Sequence, residues 1–187
     1  MISFKINEVP VLFAQAFSHS DTEEILAFVN EANSNSSIYK EKILFIDTPA
    51  TPWLVDVIQK LHEEGYRVIF RDHHGVRGKP GNVRDEQKQK ASDKLRSLLG
   101  DDCLITFRDL HPACSSLVDV GEFSDALAIV ADPDADGLTA AMKASGIFYP
   151  ELDEDAALLD SEPSLQIEGS YLSQLLAKGI ATLPPYD

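Results

Sequence analysis

The chain has 187 residues, 44% of them hydrophobic, and a net charge of −15. That length suits a single domain over residues 1–187 with a sizeable core and leaves no room for a second full domain. The charge excludes a general duplex-coating protein, which draws its affinity from Lys and Arg neutralising phosphates. No apolar run approaches the roughly 18 to 20 residues needed to cross a bilayer, and MISFKINEVP lacks the basic start and cleavage site of a signal peptide. The expectation is a cytoplasmic protein with no membrane partner.

In chain order, VLFAQAF from Val11 reads as a strand. Asp21 is then the expected N-cap of a helix over Thr22–Ala32, with Glu24 three residues on completing a loose capping box. Ser34 to Ser37 read as a polar loop. KILFI from Lys42 is the next strand, Trp53–Glu64 a helix, YRVIF from Tyr66 a strand, and GVRGKPGN from Gly75 to Asn82 a loop. A helix over Asp85–Leu99, a strand CLITF from Cys103, a helical stretch over Ala113–Val120, a strand ALAIVA from Ala126 and a helix in LTAAMKAS complete the pattern. Apolar runs alternating with helical spacing predict an α/β fold, a mostly parallel sheet flanked by helices. From about residue 150 the chain is acidic, with Glu151, Asp153, Glu154, Asp155, Asp160 and Glu162, and reads as a solvated surface.

Charge is distributed unevenly. Nine of the 16 basic residues lie between Arg67 and Arg96, which makes a local positive field in an acidic chain. Cys103 and Cys114 have neither CxxC spacing nor clustered His partners, so neither a disulfide framework nor a zinc ribbon is indicated.

Three predicted strands end alike: KILFI runs into Asp47, RVIF into Arg71 and Asp72, and LAIVA into Asp132. Ligand crevices of open α/β sheets lie beyond the carboxyl ends of strands, so three such carboxylates can converge. One run continues as Asp72-His73-His74 and another as Asp132-Pro-Asp134-Ala-Asp136-Gly. So many negative charges together call for cations. Oxygen donors with imidazole and no thiolate suit manganese, magnesium or iron better than structural zinc. Two ions roughly 3.5 to 4 Å apart would activate water and offset charge at phosphorus, and Asp47, alone at its strand end, is the candidate to bridge them.

Three other readings of DPDADG compete. An EF-hand loop would need Glu at its twelfth position, where Lys143 stands. A haloacid-dehalogenase-type phosphatase would use Asp134 as nucleophile and Asp136 as acid/base, but leaves Asp72, His73 and His74 unexplained. An acidic turn capping the helix after it is the plain structural alternative. For Asp-His-His the plain alternative is a surface turn, and His62, beside Glu63 and Glu64, reads as a surface residue.

Taken together, VADPDADGLTAA, ILFID, IFRDHHG and HPACSSLV resemble four motifs of the DHH phosphoesterase superfamily, over roughly residues 42 to 140. The Asp-rich motif is similar to that of the single-strand-specific exonuclease branch. It comes last here instead of first, so the chain resembles a circular permutant that carries the catalytic domain only. The resemblance implies two manganese ions, with magnesium as the alternative. Asp47 would bridge them, Asp134 and Asp136 would bind one each, and His73 would complete a site. It further implies phosphate contact by His74, support of the histidines by Asp72, and a ligand or supporting role for Asp132. The family's last metal-binding Asp has no secure match, with Asp153 and Asp160 the nearest candidates.

The expected reaction is hydrolysis of a phosphodiester in single-stranded or short oligonucleotides, with Arg77, Lys79 and Arg84 holding phosphate oxygens. Pyrophosphate or a nucleotide is the alternative substrate. A non-catalytic module that binds metal or nucleotide is the alternative of a different class.

Overall fold

Ile43–Ile46 and Ala128–Ala131 are apolar at every position, as strands covered on both faces must be. The computed structural model describes residues 2–14, 16, 18–36, 41–76, 82–148 and 152–161. In chain order its elements are β1 (Ile2–Ile6), β2 (Val9–Phe13), α1 (His19–Ser34), β3 (Lys42–Ile46), α2 (Pro52–Glu63) and β4 (Arg67–Asp72). They continue with α3 (Val83–Leu99), β5 (Cys103–Ile105), β6 (Ala128–Ala131), α4 (Ala135–Ala144) and α5 (Leu152–Ser161).

All six strands form one sheet in the order β1-β2-β6-β3-β4-β5. Only the edge strand β1 is antiparallel to its neighbour; the other pairings are parallel. The α/β class and the mostly parallel, helix-flanked sheet are therefore as expected. Alternation along the strands divides the core. Ile43, Phe45, Val68, Phe70, Ala128 and Val130 pack with apolar positions of α1, α2 and α3. Leu44, Ile46, Ile69, Ile129 and Ala131 face the other way, against Ala140, Ala141 and Ala144 of α4 and against Cys114 and Leu117. No helix among the described residues is long and apolar enough to cross a membrane.

Strand order brings the last strand to the centre. β6 lies between β2 and β3, and β3 lies between β6 and β4. Ile46 is paired with Ala131 on one side and Arg71 on the other, so Asp47, Asp132 and Asp72 leave the sheet at the same level. That the Asp-rich segment comes last in the chain does not prevent this convergence, because neighbours in the sheet need not be neighbours in the chain.

Several local expectations need correction. The first helix starts at His19 and is capped by Ser18, whose Oγ accepts from the Asp21 N–H at 3.3 Å. Starting after Ser18 adds most of a turn to the helix, and Asp21 in its first turn still serves the positive helix end. β2 covers Val9–Phe13, displaced toward the N-terminus from the predicted Val11 start, because β1 pairs with it through a tight turn at Asn7 and Glu8. Both turn residues have positive φ, +47° and +68°, as a two-residue hairpin requires. The predicted helix Ala113–Val120 is only a 3-10 turn over Cys114–Leu117. The acidic segment, expected as a solvated surface, carries a helix that the sequence reading did not include, α5. Of the Gly75–Asn82 loop, residues 77–81 lie outside the described residues.

Gly137, in the first turn of α4, sits directly over the backbone of Asp132, and a Cβ there would run into the Asp132 carbonyl oxygen. Backbone cannot yield as a flexible side chain can, so Gly137→Ala is expected to cost about 1–3 kcal/mol. Urea unfolding checks this; an unchanged midpoint would contradict the close packing of α4 on the strand end.

Candidate metal centre

A buried Asp at the end of a central strand must either find donors or share its charge. Asp47 does not find donors in the described structure. It is fully buried, and neither carboxylate oxygen has a hydrogen-bond partner. Its φ of +60° lies in the left-handed region, uncommon for a residue with a side chain. The backbone N–H donates to the Arg71 carbonyl at 2.9 Å, which fixes the turn.

Around Asp47 the three strand ends deliver two groups of metal-ligand atoms, each group lying within 4.8 Å: Asp47, His73 and His74 on one side, and Asp47, Asp132 and Asp134 on the other. Asp47 belongs to both. Asp136, also fully buried, reaches the first group through His73, whose Nε2 is 3.2 Å from Asp136 Oδ2 and 3.2 Å from Asp47 Oδ1.

The tautomer of His73 follows from its other nitrogen. Nδ1 lies 2.7 Å from the His111 carbonyl oxygen, which can only accept, so Nδ1 carries the proton. Burial, the largest influence, lowers the His73 pKa and favours the neutral ring. Its Nε2 lone pair then faces two carboxylates, which is repulsive unless a proton or a cation lies between them. A metal ion fits that position, and a carbonyl-anchored Nδ1–H is the usual support for a ligating imidazole.

His74 is placed differently. Its Nε2 is 2.7 Å from Arg108 Nη2, which can only donate, and its Nδ1 is 2.6 Å from Asp72 Oδ1. Nδ1 is therefore the protonated nitrogen and donates to Asp72, and the His74 backbone N–H donates to the same oxygen at 3.1 Å. With both ring nitrogens engaged, His74 is not a ligand in this arrangement, and Asp72 acts as its holder.

Asp134 caps α4: its Oδ1 accepts from the Gly137 N–H at 2.8 Å. The plain capping reading of DPDADG is thus correct for one oxygen, and a cap is worth about 1 kcal/mol. Capping does not account for the rest. Two unit charges 4 Å apart repel by roughly 4 kcal/mol at an effective dielectric of 20, so gathering Asp132, Asp134 and Asp136 around Asp47 costs more than the cap returns. α4 begins at Ala135, inside what would be the calcium loop, so the EF-hand geometry is absent. Asp136 accepts the Cys114 N–H on both oxygens at 2.8 Å, a tether that suits a fixed anion better than the mobile acid/base of the dehalogenase-type reading.

Desolvation, reinforced by Asp134, Asp136, Asp72 and Asp132, raises the Asp47 carboxyl well above the ordinary range. Burial likewise keeps the Cys114 thiol protonated, and Sγ donates to the Arg71 carbonyl at 3.7 Å, so the thiolate is withheld from the donor set.

The remaining candidates fall outside this centre. Arg77 and Lys79 lie beyond the described residues. Arg84 is exposed at the start of α3, one turn before Lys88. Asp153 is held by the Lys143 ammonium at 2.9 Å and the Ser115 hydroxyl at 2.6 Å, and the Asp160 side chain is not among those described. Three contributors were not anticipated: the His111 carbonyl, the Cys114 N–H and Arg108. The first two are backbone groups with no sequence signature. His111 and Cys114 do fall within HPACSSLV, the one available signal.

The chain matches no protein-family model, no curated protein and no solved structure.

A raised Asp47 pKa makes folding favourable to protonation. The contribution is fully present below the unfolded value of about 3.9 and is lost as pH rises through the folded value. Metal-free protein is therefore expected to melt lower at pH 8 than at pH 5, and Mn2+ to raise the melting temperature more at pH 8. Asp47→Asn should raise the metal-free melting temperature at pH 8, by about 2–4 °C for each kcal/mol of relieved repulsion, and abolish the Mn2+ response. Calorimetric melts check both; an Mn2+ response retained in Asp47→Asn would contradict the shared-ligand geometry.

Proposed function

We propose that the protein is a manganese-dependent phosphoesterase of the DHH type, hydrolysing phosphodiesters of single-stranded or short oligonucleotides. The observation that carries this reading is Asp47, one carboxylate that stands with Asp132 and Asp134 on one side and with His73, and through it Asp136, on the other. A single-ion or purely structural site has no use for that sharing. Donors are carboxylate and imidazole, a set suited to manganese or magnesium.

A pair of such ions, when bound, supplies Lewis acidity and a water of lowered pKa. The chain's own contribution is positional. Asp47 lies between the two groups, Asp132 and Asp134 flank it on one side, and His73 and Asp136 on the other. His111 holds His73 with its Nε2 directed inward. His74, oriented by Asp72, accepts from Arg108 and stands at the open rim, where the remaining N–H groups of that guanidinium can meet phosphate oxygens. Pyrophosphate or a nucleotide is the alternative substrate for the same arrangement.

One observation favours a non-catalytic metal- or nucleotide-binding module: Asp153, a candidate for the last ligand, is occupied by Lys143 and Ser115. A manganese-dependent hydrolysis screen over pyrophosphate, cyclic dinucleotides, short RNA and single-stranded DNA separates the two. The phosphoesterase reading expects turnover that falls at least about a thousandfold in Asp134→Ala, the loss of some 4 kcal/mol of transition-state stabilisation. Turnover that survives this substitution would refute the site. Nucleotide binding with no turnover on any substrate would favour the module.

A further inference from the structure

Beside the carboxylate cluster is a cavity of about 360 Å³ lined by His73, His74, Gly75, Val76, Lys88, Phe107, Arg108 and Asp109. Its two cations come from different elements. Lys88 projects from α3, and Arg108 from the loop after β5. Close backbone packing holds the Arg108 wall against the His74–Gly75 segment. The Gly75 N–H donates to the Thr106 carbonyl at 2.8 Å, His74 pairs with Phe107 in an isolated antiparallel bridge, and a Cβ at Gly75 would run into the Thr106 carbonyl.

The cavity shares His73 and His74 with the candidate metal centre, and His74 spans the two. His74 Nδ1 is 3.5 Å from Asp47 Oδ1, and its Nε2 is 2.7 Å from Arg108 Nη2. A ligand bridging the cluster and the cavity would therefore meet metal-ligating carboxylates at one end and Arg108 with Lys88 at the other. Lys88 is half-buried, and desolvation lowers its pKa, so an anion beside it would restore favourable surroundings to the ammonium. A fixed pair of cations one imidazole away from a phosphate-cleaving centre suits a second phosphate group, since bidentate guanidinium and ammonium donors recognise phosphate oxygens strongly.

We propose that the cavity formed by His74, Lys88 and Arg108 is an anion subsite for a second phosphate, next to the phosphate held at the carboxylate cluster. The inference rests on the phosphoesterase reading and sharpens its substrate class to molecules that carry two phosphates in proximity. A phosphoanhydride and a 5′-phosphorylated oligonucleotide share that chemistry.

The test is binding without turnover. Methylenebisphosphonate, which resists hydrolysis, is titrated calorimetrically into the Mn2+-loaded full chain, with orthophosphate as the one-phosphate control. Arg108→Gln and Lys88→Gln should each weaken bisphosphonate about tenfold, the loss of one charged hydrogen bond, while Mn2+ affinity changes less than threefold. Lys90→Gln, exposed on the same helix, should change little. Displacement of the bisphosphonate by the 5′-phosphorylated dinucleotide pApA but not by ApA would assign the oligonucleotide source; displacement by neither would assign the phosphoanhydride. Wild-type bisphosphonate affinity in both Arg108→Gln and Lys88→Gln, each melting as wild type, would overturn the subsite. An equal loss in Lys90→Gln would overturn it too, as a diffuse field. Should bisphosphonate binding weaken as expected while no phosphate compound is hydrolysed, the subsite stands and the phosphoesterase reading falls.

Discussion

Repulsion among carboxylates that converge on Asp47 is the constraint to which the rest of the structure answers. Parallel pairing of β6, β3 and β4 in one register forces Asp132, Asp47 and Asp72 to leave the sheet side by side. Asp134 and Asp136 follow in the first turn of α4, and the surrounding core excludes the water that would screen them. Such a cluster stands only with protons or cations to balance it. The left-handed backbone of Asp47 and its two unpartnered oxygens mark where that balance is struck.

The loop from Thr106 to Cys114 serves this centre more than it serves the core. Within nine residues it anchors Gly75 through Thr106, caps His74 through Arg108, sets the tautomer of His73 through the His111 carbonyl and holds Asp136 through the Cys114 N–H. Neighbouring histidines consequently receive opposite roles. His73 turns an unprotonated nitrogen inward, while His74 has both nitrogens engaged at the rim. The same loop supplies a wall of the cationic cavity, so the centre and the subsite are built on one support.

Much of this was legible in the chain. Apolar runs terminated by Asp announce parallel strands whose ends carry function, and the alternation with helical spacing announces an α/β sheet. The convergence of Asp47, Asp72 and Asp132 could be anticipated on that basis. Strand order could not, because an apolar run carries no record of its neighbours, and the central place of β6 emerges only from packing. β1 was missed for lack of a Gly in its turn, where Asn7 and Glu8 adopt positive φ. Lys88 and Arg108 were hidden for a related reason. They are 20 residues apart in sequence, one on α3 and one on the loop after β5, and come to line one cavity only in the folded chain. Ala113–Val120 has helical spacing, yet the backbone turns extended at Val118, and a short 3-10 turn is what forms.

The sharing of Asp47 is the central claim, and electron paramagnetic resonance of the protein titrated with Mn2+ tests it most directly. Two ions bridged by one carboxylate give an exchange-coupled spectrum that reaches full intensity at two equivalents per chain and disappears in Asp47→Asn. A spectrum of isolated, uncoupled Mn2+ at one equivalent, unchanged in Asp47→Asn, would contradict the account.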